Sequence, residues 1–145
     1  MNPTQNTTAN DRCAGQLLNT AADVIDAHGW TTGNLYDHHT TPVGIPPVCA
    51  IGAIYTAAGL DVRTAVDIPA FVNDTIGEFA GWLGTHHHAH SPALRLHLLG
   101  GLPDLGTIVA DFNDTNGRTA TEVVTAMRAA AAAHLRAVHG IEARA

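Results

Sequence analysis

Lysine is absent from the chain: its seven cationic side chains are all arginine, set against thirteen acidic residues and a formal net charge of −6. That balance leaves no basic stripe to follow a phosphate backbone, so a nucleic-acid partner is not expected. Cysteine is scarce, with Cys13 and Cys49 alone, and their separation fits neither a zinc knuckle nor a CxxC redox pair. Long apolar runs are missing too. Nothing approaches the roughly 18 residues of a membrane span, and the opening MNPTQNTTANDR has neither the basic nor the apolar region of a secretion signal. The expectation from these absences is a soluble, cytoplasmic protein without membrane or nucleic-acid partners.

What is present suits one α-helical domain. At 145 residues, 46% of them hydrophobic, the chain can bury a core without disulfide or metal. Residues 1–9 are polar and read as a disordered N-terminal tail, leaving 10–140 as a single helical domain. Asn10 or Asp11 can cap a first helix whose apolar stripe is Ala14, Leu17, Leu18, Ala21, Val24, Ile25 and His28, closed by Gly29. Residues 30–48 hold turn formers, short β-prone pieces and prolines, and predict a small β-hairpin insert. A short apolar helix is expected at 49–58. Asp61 and Asp67 are read as N-caps, the second ahead of a stripe running from Phe71 to Leu83. Further helices are expected from Pro92, from Asp104 and over 120–139. His28, His97 and His134 lie on or beside apolar faces and are read as core histidines. The sum is a mainly α fold, a compact bundle of five or six helices with the hairpin after the first.

Three segments could carry chemistry. Asp111, Asn113, Thr115 and Glu122 fall at positions 1, 3, 5 and 12 of an EF-hand loop, but the glycine stands at 7 instead of 6 and Arg118 occupies position 8. A local reading explains more: Asn116-Gly117 makes a turn, and Thr119 with Glu122 has the spacing of a capping box. Asn113, Asp114 and Arg118 are left over as candidate binding residues. Cys49 opens an apolar helix after Pro46-Pro47-Val48, where free amides and the helix dipole would favour a thiolate. With a histidine and Asn113 or Asp114 it could form a catalytic set in the chain order of papain-like hydrolases. His86, His88 and His90 could grip zinc or nickel, an adventitious role for an exposed run; no cofactor is otherwise expected. Among the few aromatics, Trp30 is expected to plug the junction after the first helix. Tyr36, with His38 and His39 beside it, is the better candidate for an exposed contact surface.

Gly29-Trp30, Gly33, Cys49-Ala-Ile-Gly52-Ala53, Phe112-Asn113-Asp114, Gly117-Arg118-Thr119 and Glu122-Val123 together resemble a family of short uncharacterised proteins from actinobacteria and their phages. The likeness spans about residues 14–138. Phe112 stands where that pattern has tryptophan, and the histidine run lies outside it. The family has no established activity, so the resemblance implies an origin but no reaction. The leading expectation is a non-catalytic module that binds another protein, of host or phage, through the hairpin and the 113–118 loop. The alternatives are a small cysteine hydrolase of the Cys-His-Asn/Asp type and a metal-binding protein.

Overall fold

A computed structural model of the chain describes residues 13–40, 43–87 and 105–144, with side chains described as far as 138. The expected tail, the caps Asn10 and Asp11, His97 and the helix from Pro92 all lie outside those residues. Within them the fold is mainly helical, with five helices: α1 Ala14–His28, α2 Ala50–Ala57, α3 Ala70–His86, α4 Leu105–Asp114 and α5 Ala120–Arg144.

Each helix exists because one face is apolar at helical spacing. On α1 that face is Leu17, Leu18, Ala21, Ala22 and Ile25, all buried, and Gly29 ends the helix at φ 99° with its amide on the Ile25 carbonyl. Ala50, Ala53 and Ile54 of α2, Val72, Ile76, Phe79 and Leu83 of α3, and Ile108, Val109 and Phe112 of α4 converge on the same core. Val123, Met127, Ala130 and Ala131 of α5 complete it. Alanine and glycine let the helices approach closely: a Cβ on Gly15 of α1 would stand 2.6 Å from Leu135 Cγ of α5. At the rim of that pair Arg128 reaches Asp23 at 2.7 Å and Asp26 at 3.1 Å. These carboxylates are largely exposed, so the ion pairs add only about 0–1 kcal/mol each.

Several expectations fail. No strand is present among the described residues, and the hairpin insert is replaced by an irregular loop with isolated bridges from Val48, parallel to Trp30 and antiparallel to Tyr36. The Thr31 amide donates to Val48 O, Val48 N to Gly29 O and Asp37 N to Pro47 O, so one residue links both sides of the loop. Pro46 and Pro47 have no amide to extend the pairing, and Gly33 and Gly44 stand at φ 83° and 78°, outside the strand region. Asp67, expected as a cap, instead adopts φ 53°; Pro69 takes the cap position of α3 without a side-chain bond. Asp61 caps no helix either: its carboxylate accepts from Arg63 N at 2.9 Å in a local turn. His28 is exposed instead of buried, and His134 is half-buried with Nδ1 3.5 Å from the Glu78 carboxylate.

Candidate functional site

The residues that sequence reasoning left unexplained meet around one side chain. Asn113, in the last turn of α4, is 1% exposed. Its Oδ1 accepts from the Trp30 indole N–H at 2.7 Å and from the Ala50 amide at 2.9 Å. Its Nδ2 donates to Thr31 O at 3.1 Å and to Asp114 Oδ1 at 2.8 Å. Every hydrogen-bonding site of the carboxamide is therefore used. Asp114 Oδ1 accepts in addition from Gly33 N at 3.0 Å. One Asn-Asp pair thus ties the start of the loop to the end of α4 and the first turn of α2.

The bond to Ala50 has a local cause. The first amides of a helix lack intrahelical partners, and α2 begins in the interior, where an unpaired donor costs about 1–3 kcal/mol. Asn113 satisfies Ala50 from another helix, while the Cys49 sulfur accepts from Gly52 N at 3.3 Å. The neighbouring Cys49 amide donates to Leu35 O at 3.0 Å and so fastens the far side of the loop. Gly52 is required there, because any Cβ would collide with the same Leu35 carbonyl.

Cys49, Asn113 and Asp114 are accordingly brought together. Burial pushes the Cys49 thiol above its ordinary range; the Gly52 and Ile51 amides oppose this and the Asp114 carboxylate adds to it. A reactive cysteine has the reverse electrostatics. A cleft of about 670 Å³ does lie among α2, α3 and α4, walled by Ile51, Tyr55, Ile76 and Leu105 with Asn73 and Thr107, but neither Cys49 nor Asn113 lines it.

Arg118 joins the next elements. Its guanidinium lies 4.1 Å from the Phe112 ring centroid, Nε donates to Phe112 O at 3.0 Å, and Nη1 reaches Glu122 Oε2 at 2.8 Å. That bond is the main reason the Glu122 carboxyl sits below its ordinary range, with Thr119 contributing. Thr119 Oγ1 accepts from Glu122 N at 3.2 Å and donates to Glu122 Oε1 at 3.2 Å, which makes the expected capping interaction at the start of α5.

The remaining predicted residues divide. Tyr36 is half-buried, with its ring 4.1 Å from that of His38 and the Arg63 guanidinium 5.6 Å from its centroid. His38 and His39 are exposed, and the His39 amide donates to Asp37 Oδ1 at 2.8 Å. His86 stacks on Trp82 at 4.3 Å with Nδ1 2.9 Å from Trp82 O, whereas His88 and His90 lie outside the described residues. His87 packs edgewise on Phe112 at 5.1 Å, and its pKa is lowered by burial first and then by Arg118 and His86.

Sequence reasoning missed the aliphatic part of this surface. Leu35 is 36% exposed, Val43 83% and Ile45 44%. Arg63, also unflagged, donates from Nη1 to Gly44 O at 2.9 Å while facing Tyr36, and so holds the Val43–Ile45 segment beside the ring. The available signal was the presence of isolated aliphatics among glycines and prolines, where no core can form.

In comparisons with known proteins, the model of a family of unknown function, DUF6197, matches residues 10–133. No curated protein and no solved structure matches.

Proposed function

The chain belongs to DUF6197, and from its geometry we propose that it is a non-catalytic protein-interaction module whose contact surface is the loop between α1 and α2. The observation that carries this reading is the combination of a saturated internal brace with exposed aliphatics on the segment it holds. Asn113 and Asp114 fix residues 30–33, Leu35 O and Val48 are pinned at α2, and Leu35, Val43 and Ile45 remain in solvent. A preordered loop loses little entropy on association, so its apolar contacts count more fully toward affinity. Tyr36, His38 and His39 supply aromatic and polar contacts on the same segment, and Asp114, which accepts from Gly33 N, borders it from the end of α4.

The hydrolase alternative draws on the convergence of Cys49, Asn113 and Asp114. Against it stand the raised thiol pKa and an asparagine whose carboxamide is fully engaged in structural bonds. The arginine-only composition and the motif likeness point to an actinobacterium or its phage as the source. The partner to seek is therefore a host or phage protein.

The test is affinity capture from such lysates with the wild-type chain and with Val43→Asp and Ile45→Asp, both at exposed positions. A protein retained by the wild type and lost with both variants supports the reading, provided their circular dichroism is unchanged. Retention that is indifferent to the substitutions, or nothing above blank matrix, overturns it.

A further inference from the structure

The sequence contains one Asn-Gly pair, Asn116-Gly117, and it lies at the surface in the turn joining α4 to α5. The Arg118 amide donates to Thr115 O at 2.9 Å across this turn, with Gly117 at φ 83° in the third position, as in a type II turn. Nothing lies within 4 Å of where a Cβ on Gly117 would stand. Among the described residues no hydrogen bond engages the Gly117 amide. A nucleophilic nitrogen that is unshielded, unpaired and without a neighbouring side chain thus follows an exposed carboxamide directly.

We propose that Asn116 is a site of spontaneous covalent modification, converting through a succinimide to aspartate and isoaspartate and remodelling the α4–α5 turn. The Gly117 amide gives up its proton to hydroxide and its nitrogen bonds to Asn116 Cγ. The Cγ–Nδ2 bond breaks and, with a proton from water, ammonia leaves. Water then opens the ring at either carbonyl, giving aspartate or the isomer whose main chain runs through the former side chain. No oxidant or enzyme is needed.

Either product replaces a neutral amide by a carboxylate two residues before Arg118, whose guanidinium holds Phe112 O and Glu122. The isoaspartyl product also lengthens the main chain by one carbon inside the turn, which is incompatible with the Arg118 to Thr115 bond as it stands. The same segment contains its own control. Asn113 is buried, and its Nδ2 is held by Thr31 O and Asp114.

The experiment incubates the full chain in mildly alkaline buffer at body temperature and follows it by peptide mapping and isoaspartyl methyltransferase labelling. The isolated 111–122 peptide and Asn116→Gln, whose longer side chain cyclises slowly, run in parallel. The expected result is conversion at Asn116 within an order of magnitude of the rate in the peptide, an intact Asn113, and no labelling of the 111–122 segment in Asn116→Gln. An Asn116 that persists in the folded chain while the peptide converts would overturn the proposal. So would conversion of Asn113 in the folded chain at the rate it shows in the peptide, since that would mean reaction through unfolding.

Discussion

Asn113 is the residue on which the loop depends. Replacing it by alanine removes the acceptor for Trp30 and Ala50 and the donor to Thr31. The Ala50 amide would be left buried without a partner and the half-buried Trp30 N–H without its acceptor. At about 1–3 kcal/mol for an abandoned buried group, a loss of about 2–4 kcal/mol is expected for Asn113→Ala, read as a lower urea midpoint. A change below about 0.5 kcal/mol, the range of ordinary surface substitutions, would show that the brace carries no weight.

Cys49 belongs to the same scale. Its folded-state thiol is raised, so the fold favours the neutral form more than the unfolded chain does. The associated stability is fully present below the unfolded thiol value, about 8.5, and is lost as pH rises through the folded value. Urea midpoints should therefore fall on the alkaline side in the wild type. The fall should be smaller in Cys49→Ser, which keeps a cap for Gly52 without a titrating thiol. At neutral pH iodoacetamide should label half-exposed Cys13 well before Cys49, and denaturation should remove the difference. Fast labelling of Cys49 in the folded chain would restore the hydrolase reading.

At the scale of elements, two glycines separate what can yield from what cannot. Within a helix, glycine to alanine gains about 1 kcal/mol from propensity alone. Gly15→Ala meets Leu135 Cγ at 2.6 Å, which a rotation of that side chain relieves, and Ala131 O at 3.2 Å, which needs a shift of only a few tenths of an ångström, so its net effect should lie near zero. Gly52→Ala drives into the Leu35 backbone carbonyl and must push the loop off α2. Overpacking of that kind costs about 1–3 kcal/mol, so thermal melts should place Gly52→Ala clearly below Gly15→Ala. Equal melting temperatures would mean that the loop does not rest on α2 as described.

The same scale shows what the sequence could reveal. The helices expected within the described residues, the Gly29 stop and the Thr119–Glu122 cap are local signals, complete within a few residues, and the structure has them. The hairpin prediction fails because it rests on short β-prone pieces between turn formers over 30–48, while the hydrogen bonds that decide the conformation are made by Val48, Pro47 and a helix start elsewhere. Asp67 fails as a cap because Pro69, its φ fixed by the ring, takes the cap position of α3 two residues later. Asn113 and Asp114 could be recognised only as residues without a local explanation. Their partners are 63 to 83 positions away in sequence, beyond any periodicity argument.

For the molecule as a whole, the helices supply the core and the α1–α2 loop supplies the proposed contact surface, with the Asn113 brace connecting the two. No helix among the described residues is long and apolar enough to cross a membrane. The exposed aliphatics Leu35, Val43 and Ile45 stand on irregular backbone, so their arrangement is only as definite as the bonds that hold the loop. Site-resolved amide hydrogen exchange tests this directly. In the wild type, the amides of Gly33, Val48, Cys49 and Ala50, all donors in the braced loop, should exchange as slowly as interior amides of α2. In Asn113→Ala they should lose protection first, while α1 and α5 keep theirs. Fast exchange of those amides already in the wild type, or protection unchanged in Asn113→Ala, would contradict the account of a preformed loop held by Asn113.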